Sequence, residues 1–420
     1  MQYSSVFLML FLTALNLGLI WLLLAVPLGV KTVTRTIRIK AASERLWSAL
    51  FPFGENAGWS GTIISAESEP NTKRFGTLRI SYDDRNGDPI ARKVRLDEFC
   101  EGKSYLLRIT DDSSLDPSFW QNYSETVDIV SENGASLVTV SETDRYRGFA
   151  FLGFRYFKIR RQLLALKIWG ETGRFKSIGV FERPITQIWM AVISALMIWP
   201  FFGLTAPGLV LAVSLTAVVA LHEFGHMFAF RVMGHKSARM IFIPILGGIA
   251  MGGRPYDRHF EIGFSALMGA GFSVFPVAAC IAAYPVALAT GHNQIAAAVA
   301  SFGLIGSVFN LANLVPVWKF DGGQVVRQVF EGRIAQAAAS FTILSALLAI
   351  GAFSGFSLSV LIPVAAVFAV LSIITNGASF KPRHALKPMT GVERGIIIAG
   401  LIATFSAHAL GAVWGLNQFG

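Results

Sequence analysis

Charge is scarce in this chain, and its scarcity is uneven. Only 15% of the 420 residues are Asp, Glu, Lys or Arg, while 53% are hydrophobic; an ordinary soluble domain has roughly 25% charged residues. A single soluble core is excluded by that shortage. Residues 1–30 carry no charge at all, and residues 185–420 carry six acidic and 12 basic side chains. Residues 31–184, by contrast, hold 20 acidic and 24 basic ones. The distribution predicts a soluble domain set between membrane segments. Cysteine is nearly absent as well: Cys100 and Cys280 fall in segments of such different character that no disulfide framework follows, which agrees with a reducing cytosol. The net charge of +10 would suit nucleic acid, but the basic residues sit beside apolar runs instead of forming a stripe of their own. No nucleic-acid partner is expected, and membrane topology accounts for the charge.

The first apolar run, residues 4–30, exceeds the roughly 20 residues that cross a bilayer as helix. It lacks the basic n-region and small-residue cleavage site of a signal peptide. Positive charges follow it at Lys31, Arg35, Arg38 and Lys40. The positive-inside rule therefore predicts an N-terminus outside and the next domain in the cytosol. After Pro184, apolar runs return at roughly 187–205, 208–232, 261–290, 293–315, 333–353, 356–376 and 393–414. With the first, eight spans are expected. Basic residues from Arg231 to Arg394 lie in alternate loops, whereas those near Thr205, Gly291 and Gly355 and the C-terminal tail are uncharged. Eight crossings thus satisfy the rule throughout and place the C-terminus outside; a bacterial inner membrane is the uncomplicated location. The stretch 240–253 (MIFIPILGGIAMGG) is short for a span, and Pro244 with Gly247, Gly248, Gly252 and Gly253 argues against a helix. It reads as a re-entrant loop bordering a cavity, or as an interfacial cytosolic loop.

From Thr32 to about Gly173 the pattern changes to short alternating runs separated by Gly, Asn, Asp and Pro, predicting an antiparallel sheet. A helix (SERLWSAL, Ser43 its expected N-cap) follows the first strand, about six strands come next, and a longer helix (FLGFRYFKIRRQLLALKIW) closes the domain. This order, with TIRIKAASERLWSAL leading to Trp59, resembles the helix-grip fold of the START-like or polyketide-cyclase-like (SRPBCC) family. The resemblance implies a cavity that takes a hydrophobic small molecule or lipid; the residues themselves leave a filled core equally open.

Chemistry enters in the run 208–232, where Leu221-His222-Glu223-Phe224-Gly225-His226 contains H-E-x-x-H. Four residues is about one helical turn, so both imidazoles face the same way and can bind one zinc ion, with Glu223 placed to act on water at the metal. Ionisable side chains in a membrane helix are costly and normally functional. A catalytic zinc site needs a third protein ligand. Six acidic residues occur after residue 184, and outside the motif only Asp321 follows an apolar helix through an unusual sequence, Asn313-Leu-Val-Pro316-Val-Trp-Lys-Phe-Asp321-Gly322-Gly323. Pro316 should end the helix, and the two glycines allow close backbone approach; alone, Asp321 reads as an interfacial N-cap.

HEFGH followed about 90 residues later by N-x-x-P-x-x-x-x-D-G resembles the site-2 protease family of intramembrane zinc metalloproteases (peptidase M50-like). The resemblance covers roughly residues 185–330. It implies that His222, His226 and Asp321 bind one zinc per chain, that Glu223 is catalytic, and that the substrate is a transmembrane protein. Asn313 matches the family's asparagine, and Gly247 and Gly248 lie where the family has a loop beside the active site; these three are expected to position substrate. No PDZ-like insertion separates the motifs, and a START-like domain ahead of them is unusual for the family.

The expected architecture is therefore a multi-pass α-helical membrane protein of about eight spans, with an α+β helix-grip cytosolic domain inserted after the first. Its parts are an N-terminal transmembrane helix (1–30), the soluble domain (31–180), a zinc-bearing membrane core (185–330) and C-terminal transmembrane helices (331–420). Membrane lipids are partners throughout. The rival readings are a catalytically silent receptor or scaffold, against which the intact Glu223 counts, and a metal transporter using the same cluster. Among the other histidines, His235, His259 and His384 are expected at solvated surface, His292 in an external turn, and His408 as polar glue between helices.

Overall fold

Alternating burial along the strands builds the N-terminal part. Strand β5 (Ser104–Asp112) buries Tyr105, Leu107 and Ile109 and turns the intervening residues outward, the period of two that a sheet covered on one face requires. The computed structural model describes residues 18, 21–23, 25–69, 72–175, 184–243, 247–317, 320–374 and 383–419. Seven antiparallel strands, β1 (Pro27–Ile39), β2 (Ile63–Glu69), β3 (Thr72–Asp83), β4 (Pro89–Cys100), β5, β6 (Ser124–Glu132) and β7 (Ala135–Arg147), form one sheet in the order β1-β7-β6-β5-β4-β3-β2. Helix α1 (Ser43–Leu50) follows β1, and α2 (Phe149–Thr172) follows β7. Leu46 of α1 and Ile159, Leu163 and Leu166 of α2 share one core with Val94, Leu96, Val127 and Val138 of the sheet. That is the helix-grip topology. Ser43 does not cap α1: it is the first helical residue, Ala42 is the N-cap without a side-chain bond, and the Ser43 hydroxyl meets Ser131 Oγ at 2.9 Å. β1 begins at Pro27, inside the apolar run 4–30; the rest of that run lies almost wholly outside the described residues.

The chain divides into two compact units, residues 1–179 with 380–383 and residues 180–379 with 384–420. In the second, α3 (Pro184–Ile198), α4 (Ala206–Val232), α5 (His259–Ala289), α6 (Asn293–Asn313), α7 (Asp321–Val329), α8 (Arg333–Phe353), α9 (Leu358–Ile374) and α10 (Gly391–Leu416) follow one another. Among the described residues six helices are long and apolar enough to cross a membrane: α3 with its 3₁₀ extension, α4, α5, α6, α8 and α10. Helix α9, in the run 356–376 where a span is expected, has 17 residues up to Ile374, and residues 375–382 lie outside the described residues. Small residues bring the helices together, as expected where lipid offers no hydrophobic drive. A Cβ on Gly225 of α4 would lie 2.2 Å from the Met268 carbonyl oxygen of α5, and one on Gly303 of α6 would lie 2.8 Å from the Trp414 ring of α10. The segment 240–253 is a two-stranded hairpin of β8 (Arg239–Ile243) and β9 (Gly247–Met251), with Pro244 outside the described residues. Backbone groups in apolar surroundings need partners, and the hairpin supplies them.

Candidate metal centre

Helix α4 presents His222 and His226 one turn apart, with ring centroids 4.7 Å apart. His222 Nδ1 lies 2.8 Å from Asn310 Oδ1 on α6, and Asn310 donates its amide to Gly306 O at 2.7 Å. The Asn310 oxygen therefore accepts, and His222 Nδ1–H donates. His226 Nδ1–H donates to the Ser265 carbonyl of α5 at 2.7 Å. With both Nδ1 protons spent outward, neutral rings turn bare Nε2 lone pairs inward. Those two Nε2 atoms are 3.1 Å apart. Asp321 Oδ2 lies 2.9 Å from His222 Nε2 and 3.4 Å from His226 Nε2, buried and without a hydrogen-bond donor.

Three lone-pair atoms so close repel one another unless a cation lies among them. A proton would relieve one pair; a divalent ion relieves all three. Ligands about 2.0–2.2 Å from a tetrahedral zinc lie about 3.3–3.6 Å apart, so the 2.9, 3.1 and 3.4 Å separations here need to open by only a few tenths of an ångström, and two imidazoles with one carboxylate is a donor set zinc takes. Space for the rings is made on α5, where a Cβ on Gly269 would lie 2.5 Å from His226 Nε2 and 2.7 Å from His222 Cε1.

Glu223 stands beside this triangle, and its ligand atom can lie within 4.8 Å of those of the two histidines. Glu223 Oε2 accepts from Ala250 N–H of β9 at 3.1 Å. The strand comes this close because residue 248 has no side chain: a Cβ there would lie 2.4 Å from Glu223 Cγ. Gly247 opens β9 with φ +92°, a conformation that favours glycine. From the other side, Phe242 N–H of β8 donates to Gln187 Oε1 of α3 at 2.5 Å, fixing the hairpin.

Asp321 arrives from the α6–α7 connection. Helix α6 ends at Asn313, three residues before Pro316, and Asp321 opens α7 with Phe320 as its N-cap. A Cβ on Gly322 would lie 1.9 Å from Leu314 O, so only glycine lets the returning chain pack there. Asn313 donates its amide to Phe309 O at 3.1 Å. The asparagine on His222 is instead Asn310, three residues earlier. Asn310, Ser265 and Gly269 were missed by sequence reasoning; the available signal was the Asn310 amide in the apolar stretch of α6, which Asn313, three residues on, overshadowed.

Two histidines expected at solvated surface are not there. His235 is 1% exposed, with its ring Nδ1 3.0 Å from the Gly252 carbonyl, because the hairpin folds back over it. Burial pushes its pKa down, and Arg254 adds to that. His259 is half-buried, 2.5 Å from Gln328 Oε1. His384 and His292 are exposed. His408 donates Nε2–H to Ala270 O at 2.9 Å and so joins α10 to α5.

Two parts of the chain are similar to known proteins. For the N-terminal part, similar solved structures include the Aha1 dimer from Colwellia psychrerythraea, 17% identical with a TM-score of 0.27 over 34% of this chain and 98% of that one. XoxI from Bacillus cereus is 19% identical with a TM-score of 0.26 over 33% of this chain and 94% of its own. A START superfamily protein from Mycobacterium smegmatis is 12% identical with a TM-score of 0.24, covering 32% and 93%. A search of curated proteins finds no match. The family model described as Peptidase family M50 matches residues 262–358, which take in Gly269, Asn310 and Asp321 and begin after the HEFGH motif.

Proposed function

We propose that the protein is an intramembrane zinc metalloprotease of the site-2 type that hydrolyses peptide bonds of transmembrane proteins. The observation that carries this reading is the convergence of His222 Nε2, His226 Nε2 and Asp321 Oδ2, the last buried without a hydrogen-bond partner, beside Glu223. In it, His222, His226 and Asp321 hold the ion. When bound, zinc supplies a Lewis acid that polarises the scissile carbonyl and makes water acidic enough to lose a proton near neutral pH. Glu223 takes that proton on Oε1, since Oε2 is engaged by Ala250 N–H, and delivers it to the leaving amine. Asn310 and Ser265 hold both rings in the tautomer that leaves Nε2 for the ion.

A substrate helix must unwind to present its peptide bond, because its backbone is otherwise hydrogen-bonded within itself. Strand β9 offers an edge for the unwound segment next to Glu223, with Gly247, Gly248 and Asn313 in positioning roles. The N-terminal unit is assigned a cytosolic regulatory or ligand-binding role; a hydrophobic molecule that co-purifies with it would support ligand binding.

Zinc content of the detergent-purified protein tests the reading, measured beside folded His226→Ala and Asp321→Ala variants. About one zinc per chain, lost or weakened in both, is expected for a three-ligand site. Glu223→Gln should keep zinc and abolish cleavage of a reconstituted transmembrane substrate. A folded protein that takes up no zinc after supplementation would favour the silent receptor. Metal flux that tolerates Glu223→Gln would favour the transporter.

A further inference from the structure

Helix α2 buries one face in the soluble core and leaves large aromatic side chains on the other. Phe149, Phe151, Phe154 and Phe157 are 46%, 56%, 67% and 56% exposed, and Tyr156 beside them is 37% exposed. Phe151, Phe154 and Phe157 recur every three residues, so they form one outward row, which exposed Arg160 continues. A soluble domain rarely leaves so much contiguous apolar surface to water.

Charge around the row has one sign. Between Asp144 and Glu171 the chain has seven basic residues and no acidic one. Two of the seven are spent inward: Arg155 donates to Glu142 and Asp144, and Lys158 donates to Glu142 at 3.1 Å. These bonds clamp the first half of α2 to β7 and fix which face looks out. Arg145, Arg147 and Arg160 are exposed.

The register of the sheet says where this row sits. Pro27 pairs with Arg147, and Gly148 N–H donates to Val26 O at 2.8 Å. The apolar run 4–30, read from sequence as a membrane segment, therefore enters the sheet where α2 begins. Trp21 and Leu22, just ahead of that point, are 53% and 41% exposed.

We propose that the first half of α2 is a membrane-seating face: Phe151, Phe154 and Phe157 enter the interface of the bilayer, and the flanking arginines meet anionic headgroups. Aromatic side chains favour that boundary, and amphipathic helices bury an apolar face about 5–10 Å into it. Lipid is the occupant because a basic aromatic row at the entry point of an apolar segment matches a bilayer surface in both polarity and charge.

The test uses the full chain with Cys100→Ser and Cys280→Ser, reconstituted in vesicles of phosphatidylcholine with phosphatidylglycerol. A nitroxide is placed through Phe154→Cys, and separately through Phe151→Cys and Glu101→Cys; Glu101 lies in the β4–β5 turn at the far end of the sheet. Collision rates with oxygen and with a water-soluble nickel chelate are then compared. The expected result is an oxygen-to-nickel ratio several-fold higher at 154 and 151 than at 101. Equal, water-like ratios at all three positions would overturn the proposal. So would low collision with both reagents at 154 and 151, which would mean that protein covers the row. Arg160→Glu should lower the ratio at 154, and an unchanged ratio would overturn the assignment to anionic headgroups.

Discussion

Each unit of this chain buries a cluster of polar and ionisable side chains, and the two are settled in opposite ways. In the N-terminal unit, Glu125 and Glu142 face each other across β6 and β7. Glu142 receives Arg155 and Lys158 from α2, and Glu125 lies within reach of the Tyr105 and Tyr123 hydroxyls at 3.3 and 3.4 Å. Each carboxylate there has partners inside the fold. In the membrane unit, the donors of His222 and His226 point away, to Asn310 and Ser265, and the acceptors face one another with Asp321. A buried cluster that satisfies itself holds elements together. One that turns three acceptors inward is incomplete until a cation comes from outside.

The largest effect should come from breaking the membrane cluster at the residue that does not hold the ion. Glu223→Gln keeps the size and the bond from Ala250 N–H but cannot take a proton. Cleavage should fall by about 10²–10⁴-fold, the usual worth of a positioned acid–base group, while zinc content measured by elemental analysis stays as in the parent. Loss of both together would make Glu223 a ligand. Gly248→Ala acts on the same residue from β9: its Cβ would press on Glu223 Cγ, at 2.4 Å in the present backbone. A carboxylate displaced by about 1 Å is expected to lose on the order of 10²-fold in rate with zinc retained. An undiminished rate would show that the hairpin does not position the base.

Asn310→Ala removes the outward acceptor that makes the membrane cluster differ from the soluble one. His222 is then free to put its proton on either nitrogen. Zinc affinity, read by titration against a competing chelator, should weaken by about 10–100-fold, as when the partner of a ligating histidine is removed. Affinity equal to the parent would mean that the ring is held by α4 packing alone.

How much of this was legible beforehand depended on whether a neighbour along the chain carries the information. HEFGH could be read because four residues is one turn. Asp321 was reached only through the family resemblance of N-x-x-P-x-x-x-x-D-G, since alone it reads as an interfacial N-cap; the bend expected at Pro316 is there, with α6 ending at Asn313 and α7 opening at Asp321. Asn310 could not: the register that sets it beside His222 comes from packing of α4 against α6, 88 residues apart, and Asn313 looked the better asparagine. Gly269 reads as ordinary small-residue packing until the imidazoles are placed over it. His235 was expected in water because Arg231, Lys236 and Arg239 surround it, yet the hairpin that buries it is a tertiary feature. In the soluble unit, alternation revealed strands and their order along the chain, but the pairing of β1 with β7 is non-local. That pairing is what brings the start of α2 next to Pro27.

The smallest expected effect sharpens the comparison from the soluble side. Tyr105 has one hydroxyl proton and two acceptors, Leu50 O at 2.8 Å and Glu125 Oε1 at 3.3 Å. With the proton on the nearer carbonyl, the Glu125 contact is good only if Glu125 is protonated and donates. Burial pushes the Glu125 pKa up, and the charge of Glu142 across the strand adds to it. A folded-state pKa above the unfolded one means that the folded form binds more protons between the two values. The stabilisation is therefore complete below the unfolded pKa of about 4.3 and is lost as pH rises through the folded value, by at most about 1.4 kcal/mol per pH unit for one proton. Glu125→Gln carries its amide protons at every pH, so hydrogen-exchange protection in β6, corrected for intrinsic exchange, should lose that decline. Asp97 and Asp111, whose pKa values are lowered first by bonds from Arg95 and Arg383, work in the opposite sense and lose their contribution as pH falls. Their presence makes the two directions separable: the acid limb should survive in Glu125→Gln and the limb above pH 4.3 should not. If that upper limb persists unchanged, Glu125 is ionised in the fold, and the soluble cluster is satisfied by charge alone instead of by a shared proton.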